Sequence, residues 1–214
     1  VDVFFVVSGF LITGLLLREF EGSGKISLRE FYARRARRLL PAAALVLVVT
    51  LVLANRLLDP IRAHDNAVDA LYATGFVANF RFAVAGADYF QQGLAPSALQ
   101  HWWSLAVEEQ FYLVWPGLLA LVWWFTRRIA RRTAVRGVAL MLVAALGTVS
   151  FLLGRHLTSV NPSWGYFATW SRGWELSVGA AGALLWSRRE RLAEPIRAAA
   201  GWLGLVLVLF AALR

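Results

Sequence analysis

Long apolar runs alternate with short arginine-rich stretches along the whole chain. Val3–Leu17 (VFFVVSGFLITGLLL) is the first run, with Asp2 at its water boundary. It is about 15 residues long, short for a membrane span, which takes ~20. Leu39–Leu58 is a full span, closed by Asp59-Pro60. A third run opens within Gln100–Tyr112 and reaches Phe125. Gly137–Gly154, Ser171–Trp186 and Ala198–Leu213 follow. The pattern predicts an all-α fold, a polytopic transmembrane helix bundle of about six spans. Ile61–Leu99 is less apolar and carries Arg62, His64, Asp65, Asp69, Arg81 and Asp88. It reads as a short span, a re-entrant helix or an interfacial helix. Residues 1–214 make a single integral membrane domain, and we expect it to be an interior piece of a longer protein, cut within apolar sequence at both ends.

The third run begins with far more polarity than a membrane helix tolerates, in QHWWSLAVEEQFY (Gln100–Tyr112). At 100° per residue, His101, Ser104, Glu108 and Tyr112 make one stripe within about 80° of arc. Glu109 flanks the stripe and Gln110 points away from it. An ionised side chain in the bilayer core costs at least ~2.5–3.5 kcal/mol, so intramembrane charge marks a site by default.

The chain is 59% hydrophobic with a mean hydropathy of +0.58, beyond what a soluble domain carries. Its pI of about 11.1 does not point to nucleic acid, because the arginines sit in linkers between apolar runs. Arg18–Arg38, Arg127–Arg136 and Arg188–Arg197 hold 16 of the 22 Lys and Arg residues. Placing all three linkers in the cytoplasm makes the six spans alternate consistently. Ile61–Leu99 must then cross an even number of times or not at all. There is no cysteine, so disulfides and thiolate metal sites are excluded. His64 with Asp65 and Asp69 resembles a metal cluster only faintly and reads as a solvated loop. Arg155–Trp170 reads as a polar, aromatic loop with His156 in it. No Gly-rich phosphate loop, GxSxG elbow or repeat is present.

Three further patterns stand out, and the arginine pairs have a sharper reading beside the plain one. Ser8-Gly9 and Thr13-Gly14 place small residues near four-residue spacing, which suits close helix packing. In FYARRARRLLPA, Arg34/Arg37 and Arg35/Arg38 are i, i+3 pairs. They are at least a topology signal, and they also form two prongs that suit an anion. Pro41 behind them fits the first turn of the next helix. Arg172 and Glu175 at the head of the fifth run are i, i+3, which suits a local ion pair.

Taken together and in this order, VDVFFVVSGFLITGLLL, FYARRARRLLPA, HWWSLAVEEQFYLVWP and SRGWELSVGAAGALL resemble the acyltransferase-3 family. These are bacterial polytopic membrane O-acyltransferases of the kind that acetylates lipopolysaccharide O-antigen and peptidoglycan. The resemblance covers essentially the whole chain. It implies about ten membrane helices, an acyl-CoA (acetyl-CoA) donor on the cytoplasmic side and no metal. It also implies a glycan or lipid-linked acceptor, no nucleic acid, and a multi-pass place in the bacterial inner (cell) membrane. The family's Arg-x-x-Arg element followed by proline corresponds to Arg35, Arg38 and Pro41. Its His-x-Trp-Ser-Leu-x-Val-Glu-x-Gln-Phe-Tyr element corresponds to His101, Trp103, Ser104, Leu105, Val107, Glu108, Gln110, Phe111 and Tyr112. Its Arg-x-Trp-Glu element corresponds to Arg172, Trp174 and Glu175. The family also carries a first helix with a histidine treated as catalytic, ahead of the stretch where this chain begins. The chain alone is expected to be inactive without it.

Acyl transfer to a hydroxyl needs a base, donors for the developing oxyanion and a hold on the thioester. The expected catalytic group is Glu108, His101, Ser104 and Glu175. Glu108 would orient the base, and His101 and Ser104 would line the acceptor mouth. Arg34, Arg35, Arg37 and Arg38 would hold the acyl-CoA phosphates. Tyr112, Trp103, Arg172 and Trp174 would contact substrate. The structural alternative is a buried Glu108–Arg172 pair that only fixes packing. A different functional class, a transporter or flippase of a glycan or small solute, also keeps charges within helices.

Overall fold

The computed structural model describes residues 1–92, 97–129 and 132–186, together with the single positions 195, 198, 201, 202, 204 and 206. Helices are the only regular secondary structure among the described residues: α1 (Asp2–Ser23), α2 (Leu28–Leu57), α3 (Pro60–Thr74), α4 (Ala78–Gln92), α5 (Trp102–Ile129), α6 (Arg132–Val160), α7 (Pro162–Phe167) and α8 (Thr169–Trp186). Four of them are long and apolar enough to cross a membrane: α1, α2, α5 over Trp102–Thr126, and α6 over Val135–Val160. The expected count of about six is therefore not reached among the described residues. The fifth run is α8, only 18 residues long and charged at its head, while the sixth run lies largely outside the described residues.

Several boundaries move because helices continue through polar sequence. The basic linker Arg18–Arg38 shrinks to residues 24–27, where Gly24 closes α1 in the left-handed region (φ 73). Arg18 belongs to α1, and Arg29, Arg34, Arg35, Arg37 and Arg38 belong to the first three turns of α2. Pro41 is consequently not in a first turn but inside α2. It leaves the Arg37 carbonyl without its usual N–H partner, which a membrane helix tolerates. The expected loop Arg155–Trp170 is the end of α6, then α7, then the start of α8, so His156 is helical and exposed. His64 and Asp65 are exposed on α3, which is likewise a helix rather than a loop. Asp59 caps α3 through Ile61 N and Arg62 N, with Pro60 in the first turn.

Contacts fix the helix directions. Ser8 meets Glu108, Thr13 accepts from Trp115 Nε1 (2.8 Å), and the Phe20 ring sits against Trp123. The pairs ascend together, so α1 and α5 run parallel. Asp2–Arg172, Gly9–Leu176 and Phe10–Gly182 make α8 parallel to α1 as well. Gly147–Ser177 and Gly154–Ser171 make α6 antiparallel to α8. Tyr32–Leu113 and Arg35–Glu109 make α2 antiparallel to α5. With α1 and α5 parallel and α2 opposed, the chain between α2 and α5 starts and finishes at the same end of the bundle. The helices there, α3 and α4, have 15 residues each, or roughly 22 Å. That is less than the ~30 Å hydrocarbon core.

Backbone contact locks α1 to α8. A Cβ on Gly9 would collide with the Leu176 carbonyl, and one on Gly179 with the Val6 carbonyl and Phe10 N. Gly14 has only the Arg18 guanidinium 3.9 Å away, so the two small-residue pairs of the sequence part company. Most of α2 beyond its first turns faces outward, with Leu45 65% and Val48 59% exposed, as suits contact with lipid.

Candidate active site

The densest polar cluster lies where α1, α2 and α5 meet. Ser8 Oγ and Tyr112 OH both donate to Glu108 Oε1, and the two hydroxyl oxygens lie against each other. Ser8, Glu108 and Tyr112 are all buried. Glu108 and Tyr112 are i, i+4, so one helix face presents both to α1. Arg35 arrives from α2 with its Cζ 3.6 Å from the centre of the Tyr112 ring. Its Nη2 donates to Glu109 Oε1 at 2.6 Å, and its Nε is buried without a partner. Two adjacent carboxylates thus take different partners: hydroxyls for Glu108, a guanidinium for Glu109. Glu108 and Glu109 lie roughly 10 Å along α5 from its first residue.

A second nest sits at the leading ends of α1 and α8. Arg172 Nη1 is 2.6 Å from Glu175 Oε1 and 3.4 Å from Asp2 Oδ1. Its Nε donates to the Tyr166 carbonyl, and its Cζ lies 5.1 Å from the Tyr166 ring and 5.7 Å from the Trp103 ring. Glu175 is 0% exposed and its Oε2 has no partner. The local Arg172–Glu175 pair forms as its spacing suggests. The alternative Glu108–Arg172 pair does not form, because each finds a nearer partner.

The four arginines divide rather than acting as two prongs. Arg34 pairs with Glu19 (3.2 Å) and Glu30 (3.6 Å), and Arg35 with Glu109. Arg37 and Arg38 are exposed and have no carboxylate within 4 Å among the described residues. Arg37 Nε donates only to the Ala33 carbonyl, 3.2 Å away. The side chains of Arg127, Arg128 and Arg132, and the whole of Arg131, Arg188, Arg189, Arg191 and Arg197, lie outside the described residues.

Other expected site residues stand apart from these nests. His101 is exposed in the turn before α5, and Ser104 Oγ donates to the His101 carbonyl at 3.1 Å, so neither joins Glu108. The stripe is interrupted because the helix begins at Trp102, which leaves His101 off its face. Trp103 is buried against Phe5, Tyr166 and Phe167. Trp174 faces α6, with its N–H on Ser150 Oγ and its ring on Phe151. Asp69, the last member of the faint metal cluster, is buried and paired with Arg81 at 3.2 Å. No group of three or more metal-ligating side chains occurs among the described residues.

The sequence pattern alone does not reveal the polar role of Ser8, which reads as a packing residue beside Gly9, or of Gln110, which points away from the stripe. Gln110 Nε2 donates to Phe76 O (2.8 Å) and Asn79 Oδ1 (2.9 Å), and Thr169 Oγ1 donates to Gln110 Oε1. Its position directly after two glutamates, on the opposite helix face, was the available signal that both faces of α5 are polar here.

Comparison with known proteins places the chain in a family. The family described as Acyltransferase domain matches residues 1–214. YrhL of Bacillus subtilis (strain 168) is 37% identical over 190 residues, 89% of this chain and 29% of its own. The peptidoglycan O-acetyltransferase OatA of Listeria monocytogenes is 36% identical over 187 residues, 87% of this chain and 29% of its own. The O-acetyltransferase OatA of Staphylococcus aureus (strain NCTC 8325 / PS 47) is 35% identical over 186 residues, 87% of this chain and 30% of its own. The chain therefore spans under a third of the length of these relatives. No solved structure gives a significant match. With its whole length matched and the motif-bearing helices packed around one another, the chain belongs to the acyltransferase-3 family.

Proposed function

We propose that this chain forms the membrane chamber of an O-acyltransferase. It moves an acyl group, acetyl in the first instance, from cytoplasmic acyl-CoA to a hydroxyl of an exported glycan such as peptidoglycan or lipopolysaccharide, in the bacterial cell membrane. One observation carries the reading: Glu108, Ser8 and Tyr112 are joined in the interior of otherwise apolar helices, with Arg35 and Glu109 against them. Family membership supplies the reaction class. The names of the Listeria and Staphylococcus relatives favour acetyl, and the Listeria name favours a peptidoglycan acceptor.

The parallel helices α1, α5 and α8 all run toward basic stretches, which the positive-inside tendency assigns to the cytoplasm. Arg37 and Arg38, exposed and free of carboxylates, suit the phosphates of the donor, whereas Arg35 is already engaged by Glu109. In the transfer the acceptor oxygen attacks the thioester carbonyl carbon, the C–S bond breaks, and the hydroxyl proton passes through a base to the CoA thiolate. Glu108, held by two hydroxyls, orients and charge-stabilises that base. The free Glu175 Oε2 offers an acceptor for an incoming hydroxyl near the other end of the chamber.

The test uses the complete protein in its membrane, carrying Glu108→Gln or Arg35→Ala. Loss of acetylation at normal membrane levels supports the site; loss of the protein itself supports a scaffold. Isotope from labelled acetyl-CoA should become covalently attached to glycan. Unmodified solute crossing the bilayer with no acyl transfer would instead favour a transporter.

A further inference from the structure

Asn79, Gln110 and Thr169 come from α4, α5 and α8 and close on one another. Gln110 gives both amide hydrogens away, to Phe76 O and Asn79 Oδ1, and accepts from Thr169 Oγ1. Asn79 gives both of its own away, to Phe167 O (3.2 Å) and Thr169 Oγ1 (3.0 Å). Every N–H and O–H in the three side chains has an acceptor, and Asn79 is 0% exposed. A fully satisfied, partly buried network favours one arrangement, since others leave a group unpaired. It also holds Phe76 in place; Phe76 is the one non-glycine residue with positive φ (52°) among the described residues. A bulky residue there is strained unless its surroundings fix it.

The placement gives the network its consequence. Gln110 follows Glu108 and Glu109 on α5, and Thr169 opens α8 three residues before Arg172. One set of bonds therefore fixes the height and rotation of both helix heads that carry the buried acids. We propose that Asn79, Gln110 and Thr169 are positioning residues, setting the register between the Glu108–Glu109 turn and the Arg172–Glu175 turn for acyl transfer. The inference rests on the functional reading above. A merely structural role would also need the Thr169 hydroxyl, which Asn79 Nδ2 and Gln110 Oε1 both use, but its loss would lower transfer only in proportion to the amount of protein.

The experiment compares Thr169→Val, Thr169→Ser, Gln110→Leu and Glu108→Gln in the complete protein, measuring membrane abundance and acetyl transfer across acetyl-CoA concentrations. Thr169→Val and Gln110→Leu should lower kcat roughly tenfold or more at little changed KM and abundance, as small misplacements of reacting groups do. Thr169→Ser should restore transfer. Thr169→Val with wild-type kcat, or with a loss only in proportion to protein amount, overturns the inference. If Glu108→Gln is inactive while Thr169→Val and Gln110→Leu are not, the inference alone fails. If Glu108→Gln transfers acetyl normally, the underlying reading fails first.

Discussion

Arg35 of α2 lies over Tyr112 of α5, its Cζ 3.6 Å from the ring centre, while the hydroxyl of the same tyrosine is bonded to Glu108. One aromatic side chain thus separates a guanidinium from a carboxylate, and Arg35 spends its own bond on the neighbouring Glu109. The arrangement combines a single charged hydrogen bond with a guanidinium over an aromatic ring, a reach and contact that the compact ammonium of lysine does not reproduce.

Arg35→Lys should therefore behave much like Arg35→Ala. Cation–π contact and the charged hydrogen bond are each worth about 1–3 kcal/mol when desolvated, so transfer should fall roughly tenfold or more. Acetyl incorporation into glycan, normalised to protein in the membrane, is the measurement.

Tyr112→Phe removes the hydroxyl and keeps the ring under Arg35. Transfer should drop while membrane abundance stays near wild type. Tyr112→Leu, which removes both, should lower abundance too. Activity and immunoblot in parallel separate the two effects.

Gly9→Ala and Gly179→Ala force a methyl into the backbone of the facing helix, so α1 and α8 must separate. Both should lower the thermal midpoint of the detergent-extracted protein by several degrees, in line with the 1–3 kcal/mol cost of overpacking, about 2–4 °C per kcal/mol. Gly117→Ala, with nothing within 4 Å of the new Cβ, should not.

Arg172→Met leaves Glu175 buried with neither oxygen paired to a cation, and should destabilise by about 3–5 kcal/mol. Adding Glu175→Leu should recover most of the folded protein, because two apolar side chains replace the pair. Recovery of fold without recovery of acetyl transfer would place Glu175 in the chemistry. Recovery of both would make the pair structural.

Taken by itself, the order of residues determined a good deal here. The apolar runs are long enough that helices are the form in which a bilayer accepts their backbone, and α1, α2, α5 and α6 follow from that. The arginine-rich stretches implied that Ile61–Leu99 makes no net crossing, and the parallel course of α1 and α5 agrees. Glu108 and Tyr112 share a face because a helix puts i and i+4 together. Tertiary structure decided the rest, because partners a hundred residues apart leave no local period to read. Whether Arg35 meets a phosphate or Glu109 depends on how α2 leans on α5. Whether Ser8 packs or bonds depends on which helix faces it. Gln110 looked idle only because its partners, Asn79 and Thr169, belong to helices whose approach no spacing within α5 encodes.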